Sequence, residues 1–208
     1  MEALMRSPVD WAVADFILPG QTESGDRYLV KPTPDGVLAA VVDGLGHGAE
    51  AAEAAKAAVK SIELHAQEST IPLIRDCHRS LAGTRGVVMS VAMFNVREET
   101  LTWIGVGNVE GLLVRAHATA SPRRESLIMR GGVVGVHLPA LAAAIVPVTG
   151  GDTLIFATDG VRSDFAVEHF VLGDSPQRLA DHILTGWGTR TDDALVLVAR
   201  YMGPAHER

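Results

Sequence analysis

Acidic residues that follow or precede short apolar segments are the positions in this chain best suited to chemistry. They are Asp26, Asp43, Asp159 and the pair Asp192-Asp193. An ionised carboxylate beside a buried apolar strand is costly unless a cation or hydrogen bonds compensate its charge, and several such groups repel one another. A divalent cation removes both costs, and an all-oxygen ligand set favours Mg²⁺ or Mn²⁺ over zinc. The sequence therefore predicts a divalent-cation site.

Two of these positions are Asp-Gly pairs, and Asp-Gly is also a common turn dipeptide. Taken alone, either pair is better explained as a turn than as a ligand. However, Asp43-Gly44 and Asp159-Gly160 follow uninterrupted apolar runs at 38–42 and 154–157. Ordinary surface hairpins alternate apolar and polar residues, whereas buried strands do not. The context therefore favours functional carboxylates at the ends of buried strands.

The elements that must position these carboxylates occur in blocks of strands and blocks of helices. Strand patterns are present at 9–18, 27–31, 37–42, 87–96, 101–106, 109–116, 127–129, 152–158 and 194–201. Helix patterns are present at 49–65, 71–81, 163–170 and 176–184. Strict strand-helix alternation is missing, so we predict an α+β fold, an antiparallel β-sandwich flanked by α-helices. The length, 208 residues, and the absence of a linker pattern predict a single domain spanning 1–208.

The composition excludes several other classes of protein. The formal net charge is −7, and Lys and Arg cluster only at Arg123-Arg124, so no nucleic-acid partner is expected. The single cysteine, Cys77, cannot form an internal disulfide, which is typical of a reducing compartment. The first residues lack the basic and apolar regions of a signal peptide, and no apolar run of about 20 residues follows. We therefore expect a cytoplasmic protein without a membrane segment.

Four motifs, in this order, resemble the SpoIIE-like branch of the bacterial metal-dependent (PPM) serine/threonine phosphatases. They are SGD at 24–26, VDGLGHG at 42–48, LIFATDGV at 154–161 and DDALVL at 192–197. The segment GVGNVEG at 105–111 adds to the similarity. The resemblance implies a β-sandwich flanked by helices, with a two-metal site between the sheets.

The resemblance also implies roles for individual residues. Asp43 would bridge both metals, and the Gly44 carbonyl and Asp26 would bind one of them. Asp159 and Asp192 would bind the other, although Asp193 is one residue away and stays open as the alternative ligand. Two Mn²⁺ or Mg²⁺ ions about 3.5–4 Å apart would activate water for in-line attack on phosphorus, so no phosphoenzyme is expected.

The implied reaction is hydrolysis of phosphoserine or phosphothreonine, with Asp43 and Asp159 as the central catalytic positions. By the same resemblance, the expected partners are phosphorylated STAS-domain proteins of a stressosome-like stress-signalling complex. The role of His47 stays open between a proton donor to the leaving oxygen and a residue that packs at the start of the helix from 49.

Two alternative functions compete with the phosphatase hypothesis. The chain could be a catalytically inert relative that only docks onto a regulatory partner, a reading that the complete carboxylate set disfavours. It could also bind a dinucleotide through Gly44–Ala49, which satisfies G-x-G-x-x-A between a strand and a helix. Against this, the following pattern is helical and then antiparallel, and Asp43 would lie beside the pyrophosphate. A cysteine phosphatase is excluded because the sixth residue after Cys77 is Gly83, not Arg.

Overall fold

A computed structural model describes residues 7–117, 119–168, 170 and 172–204. The strands are β1 Val9–Phe16, β2 Asp26–Thr33, β3 Gly36–Gly44, β4 Val87–Asn95, β5 Thr100–Val106, β6 Glu110–Val114, β7 Arg124–Ser126, β8 Met129–Arg130, β9 Ala144–Pro147, β10 Thr153–Ala157 and β11 Ala194–Tyr201. The helices are α1 Ala49–Leu64, α2 Thr70–Ser80 and α3 Pro176–Trp187, with a 3-10 helix at Ser163–Val167.

Two sheets stack face to face and carry helices on their outer faces. One sheet has the strand order β1-β11-β10-β6-β7, and the other has the order β2-β3-β4-β5-β8, with β9 also paired to β5. One apolar core fills the space between the sheets, a second lies between the β3 sheet and helices α1 and α2, and a third lies under α3. The predicted α+β sandwich is therefore confirmed.

Strand β3 is buried on both faces, which explains its uninterrupted apolar run. Ala39 and Val41 point into the core between the sheets, whereas Ala40 and Val42 pack toward α1 and α2. Successive side chains of a strand point to opposite faces, so a strand covered on both sides must be apolar at every position. Strand β10 has the same arrangement in the other sheet.

The structure differs from the predicted elements in three places. The helix predicted at 163–170 is only the 3-10 helix Ser163–Val167, and position 169 lies outside the described residues. The strand predicted at 127–129 is replaced by β7 and by β8, which pairs with β5 in parallel. Strand β9 was not predicted because its residues are mostly exposed and show no alternation of apolar and polar types.

The connection from β3 through α1 and α2 to β4 bears on the dinucleotide alternative. Strand β4 pairs antiparallel with β3 along its whole length. A dinucleotide-binding unit requires two parallel strands joined by a crossover helix. This geometry does not provide that unit.

The helices in the described part of the chain are all too short or too polar to span a membrane.

Candidate metal centre and active site

One end of the sandwich collects acidic side chains from both sheets. Asp26 begins β2 and Asp43 lies near the end of β3, and the two are direct cross-strand partners. Asp159 lies just beyond the end of β10, and Asp192 lies just before β11, which is antiparallel to β10. These four residues and Asp193 line one open cavity of about 500 Å³.

Burial and mutual repulsion disfavour the ionised forms of the cross-strand pair. Burial raises the pKa of Asp26 to about 7, opposed by the Thr158 hydroxyl, which donates a hydrogen bond of 2.7 Å to Asp26 Oδ2. Burial, followed by the charge of Asp26, raises the pKa of Asp43 to about 8. Ionising both carboxylates at neutral pH therefore costs free energy. A positive charge between them would remove that cost.

The chemistry of the lining fits a divalent ion that prefers oxygen ligands. The acidic groups of the cavity are the five aspartates, and Mg²⁺ keeps several water molecules and is held by one or two carboxylates at a time. An open cavity lined by oxygen ligands therefore suits Mg²⁺ or Mn²⁺.

The glycines of the two Asp-Gly pairs are explained by close backbone approach. A Cβ atom on Gly44 would lie 2.1 Å from the Ala51 carbonyl oxygen, in the first turn of α1. A Cβ atom on Gly160 would lie 1.9 Å from the Asp193 carbonyl oxygen. Neither glycine has a positive φ, so a tight turn is not what requires them. Gly44 brings α1 against the end of β3, and Gly160 brings the two acidic loops of the other sheet together.

Comparison with known proteins identifies the family. A sequence model of the family described as Stage II sporulation protein E (SpoIIE) matches residues 33–202, which is most of the chain. The chain belongs to the SpoIIE family. The phosphoserine phosphatase RsbX of Bacillus subtilis (strain 168) is 25% identical over 183 residues, covering 87% of this chain and 89% of RsbX.

Two solved structures have closely similar folds. A chain solved in work on the bacterial stressosome as a modular system adapted to control secondary messenger signalling has a TM-score of 0.82 and 27% identity. It covers 92% of this chain and 99% of its own length. RsbX in complex with magnesium has a TM-score of 0.80 and 21% identity, covering 92% of this chain and 94% of RsbX. The predicted similarity to this family is therefore confirmed.

In this SpoIIE-family chain the two adjacent aspartates have different surroundings. Asp193 is buried, and its two oxygens accept hydrogen bonds of 2.8 Å from Leu18 N and 2.7 Å from Gly25 N. Asp192 is exposed toward the cavity, and its Oδ1 accepts a hydrogen bond of 2.8 Å from Asp193 N. This favours Asp192 as the ligand, because the oxygens of Asp193 already bind the loop that precedes Asp26.

Three residues of the site carry functions that sequence reasoning missed. Asn108 Nδ2 donates a hydrogen bond of 2.9 Å to Asp159 Oδ2. The Thr158 hydroxyl holds Asp26 and also accepts a hydrogen bond of 2.8 Å from Leu195 N. Asp193, for which the sequence suggested only a metal-ligand role, accepts hydrogen bonds from main-chain amides. The available signals were the Asn inside GVGNVEG and the buried Thr directly before Asp159.

The remaining predicted residues also have defined positions. His47 is exposed and lines the cavity, while the N-cap of α1 is Gly48, without a side-chain capping bond. This position favours contact with a bound substrate over helix capping. Cys77 is fully buried in the core beneath α2, and burial raises the pKa of its thiol to about 12. It is a packing residue and cannot act as a nucleophile there.

Proposed function

We propose that this chain hydrolyses phosphoserine or phosphothreonine of a partner protein in the carboxylate-lined cavity at the end of the sandwich. The observation that carries the proposal is the convergence of acidic side chains from both sheets on that one cavity. The family membership and the similarity to RsbX support the same reaction class. The inert docking alternative is disfavoured because the four carboxylates that would bind cations all line this one cavity.

We propose two Mn²⁺ or Mg²⁺ ions for this site, one held by each half of the carboxylate set. We assign Asp26 and the Gly44 carbonyl to the first ion, and Asp159 and Asp192 to the second. Asp43 would contribute to both. Bound divalent ions neutralise phosphoryl oxygens and activate water for in-line attack on phosphorus.

Residues of the chain position these carboxylates and the substrate. Thr158 orients the Asp26 carboxylate from behind, and Asn108 orients Asp159 from the rim of the cavity. His47 lies where its ring can donate a proton to the leaving serine or threonine oxygen, because it is exposed in the cavity wall. Because a water molecule activated by the bound ions would attack phosphorus, we expect a single displacement without a phosphoenzyme.

The proposed substrates are phosphorylated STAS-domain proteins of a stressosome-like complex. Two similarities support this assignment: the relative RsbX is a phosphoserine phosphatase, and the superimposable chain at 27% identity comes from work on the bacterial stressosome. We further propose that residues 1–208 form one phosphatase domain that acts in the cytoplasm, since its expected partners are intracellular signalling proteins.

Phosphate release from a phosphorylated STAS-domain protein tests the proposal. With Mn²⁺ present, we expect turnover that chelation by EDTA abolishes and that added Mn²⁺ restores. Asp43→Asn should remove this activity with the fold intact, because the amide keeps the shape but loses the ligand charge. A folded wild-type chain that releases no phosphate from phosphoproteins or p-nitrophenyl phosphate with any divalent metal would refute the proposal and favour the docking module.

A further inference from the structure

One histidine and two carboxylates meet where α1 and α2 join. His65 caps the C-terminal end of α1, Glu68 lies in the turn between the helices, and Asp76 lies on α2. Each residue offers one ligand atom, and these three atoms lie within 4.8 Å of one another. All three residues are half-buried, so their side chains pack against neighbours and still reach solvent. The junction therefore gathers a mixed nitrogen and oxygen donor set from three parts of the chain.

This junction is separate from the carboxylate cavity. The cavity is lined by residues 45–47, which precede α1, whereas His65 follows the last residue of that helix. Helix α1 has 16 residues and is therefore about 24 Å long, since each residue adds about 1.5 Å. The lining of the cavity includes none of the three junction residues. An ion bound at the junction would therefore not belong to the metal centre proposed for hydrolysis.

The His65 ring has one nitrogen engaged and one available. Its Nδ1 lies 2.9 Å from the Ser61 carbonyl oxygen, which can only accept a hydrogen bond, so Nδ1 must be the donor. In the neutral ring Nε2 then carries the lone pair, and it lies 3.9 Å from Asp76 Oδ2. Histidines that bind metals usually donate their other ring N–H to a carbonyl or a carboxylate, which fixes the tautomer. His65 has this arrangement.

The distances between the donor atoms suit a bridging ion better than a direct hydrogen bond. The 3.9 Å between His65 Nε2 and Asp76 Oδ2 exceeds the length of a hydrogen bond. Two ligands of one tetrahedral zinc, each about 2.0–2.1 Å from the ion, lie about 3.4 Å apart. Asp76 Oδ1 is paired with Arg79, which leaves Oδ2 for the ion. Glu68 forms no salt bridge with any residue that the structure describes, so its carboxylate is available as a third ligand.

The local charge also favours a cation at this junction. Arg79 compensates the charge of Asp76, but the charge of Glu68 remains. The last turn of α1 contains no basic residue. A helix carries partial negative charge at its C-terminal end, and a cation placed there is stabilising.

We propose that His65, Glu68 and Asp76 bind a zinc ion, with water as the fourth ligand, and that the ion ties the end of α1 to α2. Zinc is the expected metal because imidazole nitrogen together with carboxylate oxygen is a donor set that zinc accepts, whereas Mg²⁺ and Ca²⁺ prefer oxygen ligands alone. The inference is independent of the proposed phosphatase function.

Zinc titration of the whole chain tests the inference, with excess Mg²⁺ present to occupy the carboxylate cavity. We expect the Nε2 signal of His65 to shift in ¹⁵N NMR of the histidine rings, and calorimetry to give the affinity. His65→Gln should weaken zinc binding by at least about 100-fold, because loss of an outer partner of a metal-binding histidine alone costs about 10–100-fold. Glu68→Gln and Asp76→Asn should each weaken it by about tenfold or more.

His182→Gln is the matched control, because His182 is exposed on α3 and its ring contacts Trp187. It should leave the zinc affinity unchanged. The inference is overturned if His65→Gln binds zinc as tightly as the wild-type chain, if His182→Gln weakens binding equally, or if no histidine signal shifts. It is also overturned if zinc shifts only the signal of His47, since the ion would then bind in the carboxylate cavity. Phosphate release with Mn²⁺ should be equal in His65→Gln and the wild-type chain, and its absence from both would contradict the proposed function alone.

Discussion

The two halves of the carboxylate site are built differently. Asp26 and Asp43 lie within paired strands, directly opposite each other and largely buried. Asp159 and Asp192 lie in loops beside β10 and β11, and both are exposed to the cavity. The first pair is fixed by the register of a sheet, whereas the second pair depends on hydrogen bonds such as Asn108 to Asp159.

This difference indicates which part of the site should tolerate amino-acid substitution. A cross-strand pair cannot move without disrupting the sheet, so its repulsion must be relieved by a cation or by protonation. Carboxylates on exposed loops can rotate toward or away from a bound ion at small cost. We therefore expect the strand pair to determine whether cations bind at all, and the loop pair to tune how tightly they bind.

The largest expected effect is the loss of activity in Asp43→Asn. The variant removes the carboxylate assigned to both ions, so kcat with Mn²⁺ should fall by about 10³-fold or more, which corresponds to about 4 kcal/mol. Its thermal stability without metal should be equal or higher at pH 8, because the neutral amide removes the cost of ionising a buried carboxylate opposite Asp26. Phosphate release and a thermal melt measure the two effects.

Asp192→Asn, in the loop pair, is the variant whose kcat is compared with that of Asp43→Asn. We expect a smaller loss of kcat, about 10- to 100-fold, that is partly recovered at high Mn²⁺ because weaker binding is offset by mass action. If Asp192→Asn is as inactive as Asp43→Asn at every metal concentration, the proposed division between a fixed half and an adjustable half is wrong.

The free energy of unfolding should distinguish the role of Asp193 from that of Asp192. Asp193→Ala should lower the free energy of unfolding by about 2–4 kcal/mol, because it leaves the amides of Leu18 and Gly25 without their buried acceptor. Asp192→Ala, at an exposed position, should change stability by less than about 0.5 kcal/mol. Urea denaturation of the metal-free proteins measures both. Equal effects would show that the two aspartates share the same role.

Much of the fold follows from sequence patterns that the structure explains. The uninterrupted runs at 38–42 and 154–157 mark strands covered on both faces, and the Ala-rich pattern marks α1, which lies at 49–64. Strand β9 could not be predicted, because pairing with β5 rather than its own side-chain pattern creates it. The same holds for β8, where pairing with the end of β5 decides the conformation.

The convergence of the acidic residues on one cavity was predictable from the sequence, but their division of labour was not. Positions Asp26, Asp43, Asp159 and Asp192 all reach the cavity, as the apolar context of the acidic motifs indicates. The choice between Asp192 and Asp193 needed hydrogen-bond partners that lie 168 and 175 residues away in the chain. The supporting contacts of Thr158 and Asn108 are likewise long-range, so no local spacing reveals them.

One predicted effect needs no substitution: a pH dependence of stability that comes mainly from the strand pair. The folded chain holds protons on Asp26 and Asp43 up to about pH 7 and 8, whereas the ordinary value for an aspartate is 3.8. Between those limits the folded state binds more protons than the unfolded state, so stability falls as pH rises. The melting temperature of the metal-free chain should therefore drop by more than about 10 °C between pH 5 and pH 8. Asp43→Asn should flatten this slope, and saturating Mn²⁺ should abolish it, since cations replace the bound protons. A metal-free melting temperature that rises over this interval would show that the strand pair is ionised without a cation, and the contrast between the two halves would lose its physical basis.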